Sequence, residues 1–478
     1  MTPVSDHNDL SHLNLQNDAF AHIRKQSLDL FNRLHSIEED VEFVNQVHAA
    51  YPNIPLIPNL RCGAWYCDPV IQAAPHPAYF KSTDGHTSNW QFNLRRPNLH
   101  LLPVILRSEG IVLVDSTRAG KRVPDALSKT VPIWCAVVNR AMVLRYPELG
   151  EGSGAWDTNL HTPPLSVSKQ EHAQIEKLLD DWAGALNNSS YAIPRFSKPL
   201  RPIWITPASS SFPPFNDVQF LPVICVSASR QVEDSLDRRS GGFVYVQGSG
   251  DDHELWGKGL NPQKFWAHRT RLLSAPRAEV EETVASVNEM YGTTTRHTTP
   301  PTGISKVGNS IRISSLEDVS AEVQRPEDLT AYVLISNDSA GWPGIQEGID
   351  VDEQAMKLRI VLPEGKKGQM HFLQVVLPRS LQFIRTQLSN GCSVCISCPT
   401  GNDISVGVTV AALQNFFNNN GELALNRPEI ANKSTIRTRL EWIISDRPTA
   451  NPSRNTLKRV NEYLLSPTEF RMSSVKTR

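Results

Sequence analysis

Apolar residues recur at helical spacing over residues 15 to 50, where Leu28, Leu30, Phe31, Leu34, Ile37, Val41, Phe43, Val44 and Val47 fall among charges until Pro52 and Pro55 end the pattern. A scaffold helix or helix pair is expected there. From Leu56 to Arg145 the texture changes to short apolar runs, such as Leu99 to Leu106 and Ile111 to Val114, divided by polar clusters rich in Asp, Gly, Ser, Thr and Arg. These read as strands ending in polar loops. A Gly, Ser and Pro-rich interval from Glu148 to Ser166 precedes a helix expected over Lys169 to Leu186, with Ile175, Leu178, Leu179 and Trp182 on one face. After a Pro-rich stretch come the apolar runs Val223 to Val226 and Phe243 to Val246, then a helix carrying Val280, Val284 and Val287.

Residues 291 to 306 are poor in apolar side chains and rich in Thr, Pro and Gly, the composition of an extended segment that need not pack. The pattern then restarts with Tyr332 to Ile335, Leu358 to Leu362, a helix striped by Leu377, Leu381, Ile384 and Leu388, a buried strand Cys392 to Cys398, and a second helix from Ser405. Alternating strands and helices indicate an α/β unit. The expected organisation is a mixed α/β domain with flanking helices over 1–290, a linker over 291–325 and an α/β domain over 326–478.

The 478 residues are ample for two or three cores at about 150 residues each. With 48 basic against 49 acidic side chains there is no global field for nucleic acid, so any such partner must meet a local patch. Residues 61–140 supply one, with ten basic and five acidic side chains. No apolar stretch is long enough to cross a bilayer, and the N-terminus lacks the features of a leader, so a cytoplasmic protein is expected, with the nucleus open as well. Cys135, Cys225, Cys392 and Cys395 sit in apolar runs, as reduced buried thiols do.

Four polar segments carry the candidate chemistry. Ile111 to Val114 delivers Asp115 into a loop of Ser116, Thr117, Arg118, Gly120, Lys121 and Arg122, whose hydroxyls, glycine and cations suit a polyphosphate. A nucleic-acid backbone asks for the same side chains, so both readings stand for this loop. Lys81, Asp84 and His86 flank Ser82, Thr83 and Gly85 in a second loop, where Asp84 or His86 would serve as a base. Asp251, Asp252, His253 and Glu254 follow Gly248 and Gly250; Asp251, Asp252 and Glu254 offer oxygen ligands for magnesium, and Asp252 and His253 are further proton-handling candidates. The same loops are also compatible with strand caps built from Asx and Ser/Thr turns.

In the C-terminal unit, SVCISCPTGNDISVGVTVAAL places Cys398 at a strand end, Gly401 three residues on and Ser405 at the first turn of a helix. It resembles the phosphate loop of dual-specificity phosphatases, in which amides and a helix N-terminus hold a phosphate dianion. Ile404 stands where that loop carries its arginine, Ser397 where it carries a histidine, and Asp403 adds a negative charge. Gly401, Asn402, Asp403 and Ser405 therefore read as phosphate binders or scaffold, and a Cys398-dependent phosphatase is a disfavoured alternative.

Together, NLRCGAWYCDP (59–69), YFKSTDGHTSNWQFNLRRPNLHLL (79–102), IVLVDSTRAGKRVPDALSKT (111–130) and YVQGSGDDHELW (245–256), with the altered phosphatase loop, resemble the initiator-tRNA 2′-O-ribosylphosphate transferase family. The resemblance runs from RKQSLDLFNRLHSIEED to RPTANPSRNTLKRVNEYLL, with Glu148 to Pro214 the least similar. It implies a C-terminal dual-specificity-phosphatase-like domain and transfer of 5-phosphoribose from phosphoribosyl pyrophosphate (PRPP) to the 2′-hydroxyl of adenosine 64 of initiator methionine tRNA. Magnesium would assist, pyrophosphate would leave, and the modified initiator would be kept out of elongation. Lys81, Asp115, Thr117, Arg118, Gly120, Lys121 and Arg122 are then candidate PRPP ligands, and Arg61, Arg95, Arg96 and Lys129 candidate tRNA contacts. No membrane and no obligate protein partner is implied. A non-catalytic tRNA-binding protein is the rival reading, and it leaves the acids of residues 251–254 without a use.

Overall fold

A computed structural model describes residues 21–60, 62–71, 76–151, 156–215, 217–232, 237–293, 299–322, 329–337, 348–426 and 429–466. They fall into two units, one drawn from Met1–Asn93, Pro97–Asn188 and Ile193–Thr295, the other from Leu94–Arg96, Ser189–Ala192 and Arg296–Arg478.

In the first unit the apolar runs form a wholly parallel sheet of β1 (Leu56–Pro58), β2 (Ile111–Asp115), β3 (Leu200–Ile205) and β4 (Leu221–Ser227), ordered β1-β2-β4-β3. Every residue of β1, β2 and β4 is buried, which is why they read as unbroken apolar runs with no alternation. Asp115 pairs with Ser227, so β2 and β4 end side by side. A short hairpin, β5 (Asp237–Arg238) with β6 (Val244–Tyr245), follows.

The expected N-terminal helix runs over Leu30–Ala50, capped by Asp29, whose carboxylate accepts from the Asn32 amide at 2.9 Å. Its Leu34, Ile37, Val41 and Val44 share one core with Trp65, Val112, Val114, Ile224, Phe265 and Val284. Three successive acids on this helix go separate ways. Glu38 pairs with Arg269, Glu39 takes Arg239 through two bonds of 2.7 and 2.8 Å, and Asp40 turns into the core.

Two expected strands are helices. Val131–Arg145 is buried over most of its surface, so it shows no amphipathic stripe and its composition mimics a buried strand; Pro132 in its first turn is the compatible signal. Asn139 fixes it to β3, accepting from the Leu200 amide at 2.8 Å and donating to the Leu200 carbonyl at 2.9 Å. Leu102–Ser108 likewise starts with a proline, Pro103, and buries Leu102 and Ile105. The helix expected over Lys169 to Leu186 is divided into Lys169–Glu176 and Leu179–Asn187.

The second unit holds a six-stranded sheet of β7 (Thr302–Gly303), β8 (Ile311–Ser315), β9 (Thr330–Ser336), β10 (Ile349–Asp352), β11 (Lys357–Val361) and β12 (Ser393–Cys398), ordered β10-β11-β9-β12-β8-β7. The inner four strands are parallel and the two edges antiparallel. The expected linker over 291–325 is corrected here: β7, β8 and the Leu316–Glu322 helix lie within it, and Ile304, Ile311 and Ile313 are fully buried. Short strands bearing only a few apolar residues each leave too weak a pattern to stand out against Thr and Pro. The Leu377–Ser389 helix buries its expected stripe, and Ile404–Phe416 follows β12 directly after the phosphatase-like loop. Among the described residues no helix is long and apolar enough to cross a membrane.

Candidate active site

The C-terminal edge of a parallel sheet is where such folds present chemistry. At the end of β2, Asp115 is 3% exposed and surrounded by donors. Asn59, just after β1, donates to its Oδ2 at 2.8 Å, while the Cys62 thiol and the Ser116 amide donate to Oδ1 at 2.8 and 2.9 Å. The other side of the Asn59 amide accepts from the Phe80 amide at 2.9 Å, which sets its orientation. Burial pushes Asp115 up to about 6 against the pull of these donors, and the charge of Asp251 pushes the same way. Burial also raises the Cys62 thiol well above its ordinary value, so it is a proton donor here and no nucleophile.

Beyond Asp115 the chain enters a loop in which Ser116 and Thr117 are buried and Arg118, Ala119, Gly120 and Lys121 are exposed. The 245–252 segment lies on this loop. Gly248 has φ +69°, and a Cβ there would stand 2.6 Å from the Thr117 carbonyl oxygen. Gln247 donates to the Lys121 carbonyl at 2.6 Å, and Ser227 to the Arg122 carbonyl at 3.0 Å. Gly250 fits only as glycine, since a Cβ would meet the Trp65 ring at 2.9 Å, and its amide donates to the Tyr66 hydroxyl at 2.8 Å. Arg33 donates to the Ser249 carbonyl at 2.9 Å and to the Asp251 carbonyl at 3.3 Å; burial brings it down to about 10, while Tyr66, Asp251 and Asp252 pull it back up.

In the second unit, the loop between β12 and Ile404–Phe416 is tied down by the chain that follows. The Cys398 thiol lies 3.1 Å from the Ser405 hydroxyl. Gly401, at φ +67°, passes its carbonyl to Arg447 Nε at 2.9 Å, and Asn402 passes its own to the Asn451 amide at 2.9 Å. Asp403, expected as a phosphate ligand, instead accepts from the Ser453 amide at 2.9 Å and the Thr456 hydroxyl at 2.6 Å, capping the Arg454–Leu465 helix. Arg95, counted with this unit, donates to the Pro452 carbonyl; burial lowers it, Arg96 and Arg454 lower it further, and Asp403 opposes them. Arg95, Arg96, Arg447 and Arg454 therefore gather beside a loop that lacks its own arginine.

The chain matches two family models, the Rit1 N-terminal domain over residues 23–289 and the Rit1 DUSP-like domain over residues 356–464. It is 33% identical to the tRNA A64-2′-O-ribosylphosphate transferase of Saccharomyces cerevisiae across 93% of both chains. The chain belongs to the Rit1 family of initiator tRNA phosphoribosyl transferases. An uncharacterized protein of Schizosaccharomyces pombe is 36% identical across 73% of each. Solved structures similar to it include human DUSP28 (TM-score 0.25, 16% identity, 36% of this chain and 97% of that one). A mouse putative dual specificity phosphatase complexed with zinc tungstate is another (TM-score 0.26, 16% identity, 36% and 92%).

Within this Rit1-type chain the remaining candidate residues take definite places. Lys129, expected to contact tRNA, is buried: its ammonium lies 3.2 Å from Asp125 and 3.1 Å from Glu171, inside a π-helical turn over Ala126–Thr130. Its ammonium is therefore already engaged by two acids. Lys121 pairs with the same Asp125 at 2.7 Å, and His86 is exposed 3.8 Å away. Asp84 is buried and accepts from Gln91 at 3.0 Å, while the Lys81 carbonyl accepts from Thr130 at 3.0 Å, so the second polar loop rests on the Ala126–Thr130 turn. The expected three-ligand metal cluster does not form. Asp252 is left-handed at φ +48°, Glu254 lies on the following turn with its side chain 77% exposed, and among the described residues no three His, Cys, Asp or Glu converge on a common point. His253 packs edge-on against Trp65 at 5.6 Å. Arg61 lies outside the described residues.

Sequence reasoning missed Asn59, Cys62, Tyr66, Asp40, Ser229 and Tyr245. Asn59 and Cys62 lay within a quoted motif, NLRCGAWYCDP, but nothing local tied them to Asp115, more than fifty residues on.

Proposed function

We propose that the protein transfers 5-phosphoribose from PRPP to the 2′-hydroxyl of adenosine 64 of initiator methionine tRNA. The new bond joins the 2′-oxygen to the ribose anomeric carbon, the bond to pyrophosphate breaks, and the hydroxyl proton leaves to a base. The observation that carries this reading is the meeting, at one strand end of a Rit1-family chain, of Asp115, the hydroxyl and cation loop from Ser116 to Arg122, and the Asp251 segment.

Asp115 feels the charge of Asp251, and a pair of acids in one region would suit a divalent cation whose other ligands are donor oxygens and water. They fit magnesium better than the exposed Glu254 does. When bound, magnesium would neutralise the charge that builds on departing pyrophosphate. Thr117 and the open backbone at Gly120 would hold a phosphate group, with exposed Arg118 as its cation. Arg95, Arg96 and Arg454 supply positive charge for a phosphate of the tRNA.

Incubation with magnesium, PRPP labelled on its 5′-phosphate and either initiator or elongator methionine tRNA tests the proposal. Label confined to the initiator is expected. Label on neither tRNA, with folded protein, sinks it in favour of a binding module. Cys398→Ser is expected to leave transfer within about twofold, because a serine hydroxyl keeps the contact to Ser405 and no thiolate chemistry is needed. Loss of transfer in that variant would return Cys398 to the chemistry.

A further inference from the structure

Behind the strand end runs a chain of buried hydroxyls that ends on one carboxylate. Asp40 is 3% exposed, and its two oxygens accept from Ser229 Oγ at 2.5 Å and from the Tyr245 hydroxyl at 2.7 Å. Ser229 Oγ lies 2.5 Å from Ser116 Oγ and accepts from the Gly248 amide at 3.2 Å. The Tyr66 hydroxyl accepts from the Gly250 amide at 2.8 Å. The Tyr245 oxygen accepts from the Arg230 amide at 2.8 Å.

With both Asp40 oxygens accepting, the direction of the serine pair follows. Ser229 has one proton and gives it to Asp40, so between the two serines Ser116 must be the donor. Both loops that flank Asp115, one through Ser116 and the other through Gly248, are thereby fastened to the Leu30–Ala50 helix through the two accepting oxygens of Asp40.

We propose that Asp40 is a positioning residue of the transfer site: by accepting from both Ser229 and Tyr245 it fixes the direction of the hydroxyl chain and holds the 116–122 and 248–252 loops at the spacing that binds the phosphoribosyl donor. An amide at this place would break the chain. Asparagine presents one acceptor and one donor, so either Ser229 must reverse, disturbing Ser116, or Tyr245 must accept twice and lose a place for its own proton.

The inference rests on the transferase reading, and the test separates the two. Wild type, Asp40→Asn, Ser229→Ala and Glu39→Gln are compared for labelled PRPP binding with magnesium alone, then for transfer to initiator tRNA. The Asp40 and Ser229 variants are expected to raise donor KM and Kd by about 10-fold or more, with a smaller fall in kcat and an unchanged tRNA KM. Glu39→Gln, which weakens a partly buried ion pair one residue away, is expected to stay within about twofold of wild type. A merely structural Asp40 would lower the active fraction and kcat while leaving donor KM alone, and that result overturns the inference, as does an equal rise in Glu39→Gln. If Asp40→Asn does not fold, Ser229→Ala carries the same decision. Absence of transfer by the wild type, with donor still bound and lost in the variants, would fell the transferase reading and leave this one standing.

Discussion

Asp115→Asn is expected to lower phosphoribosyl transfer by about 100-fold or more while gaining stability relative to wild type as pH rises toward neutrality. The loss follows from chemistry: the variant keeps the shape of the site but removes the charge that would face a cation or a ribose hydroxyl. The gain follows from burial. In the folded chain Asp115 sits at about 6, above its ordinary value of 3.8, so its carboxyl is at home in the fold while protonated. That contribution is fully present below the unfolded value and is lost as pH rises through 6. A shift of roughly 2 units corresponds to about 3 kcal/mol, which ionised wild type forgoes near pH 7 and an asparagine does not. Urea denaturation of both proteins between pH 4 and 7.5, without magnesium, should show the variant gaining on wild type as pH increases. A difference in stability independent of pH would mean that Asp115 titrates normally, and the electrostatic account of the site would fail with it.

Trp65→Ala should produce the largest fall in stability. Its ring is fully buried, 5.2 Å from Trp256 and 5.6 Å from Phe265, and it is the surface on which Gly250 rests. Truncating such a side chain costs about 3–5 kcal/mol, which lowers Tm by roughly 10 °C in a unit of this size. The cavity would open beneath the segment that carries Asp251, so donor affinity should fall as well, below the temperature at which the fold is lost. Trp65→Phe should recover much of the stability. Differential scanning calorimetry with a donor-binding titration checks both parts; a variant that melts with wild type would show that this cluster is not the keystone of the core.

The two expectations share a cause. The site is built where β2 and β4 end together, and holding a carboxylate there requires donors from the turn after β1, with a solid aromatic floor behind. Stability and function pull in opposite directions at Asp115 and in the same direction at Trp65, because the first carries a charge the core disfavours and the second fills the core itself.

The sequence by itself determined what depends on near neighbours. The apolar stripe of Leu30–Ala50, the unbroken runs of β2 and β4, the stripe of Leu377–Ser389 and the strand, loop, helix order around Cys398 were all legible, because burial of one face or of a whole strand imposes its period on the residues involved. So was Asp115, since a buried strand running into a loop of hydroxyls and cations is a local pattern. Motif resemblance carried the family, and the loss of arginine at Ile404 could be read directly. Where burial surrounds an element, as in Val131–Arg145, the period vanishes and the helix passes for a strand.

Tertiary structure alone decided which polar residues face one another. The partners of Asp115 come from residues 59 and 62, the partners of Asp40 from 229 and 245, and Lys129 is withdrawn from the surface by an acid at 171. Side chains such as these have no period and no local signature, because a hydrogen bond depends on a few ångströms in space and is indifferent to separation along the chain. The same reason dissolved the expected metal triad: residues 251 to 254 are adjacent in sequence, yet a left-handed turn at Asp252 and the helical turn after it leave their carboxylates unconverged, while the charge of Asp251 bears on Asp115 and pushes its carboxyl up.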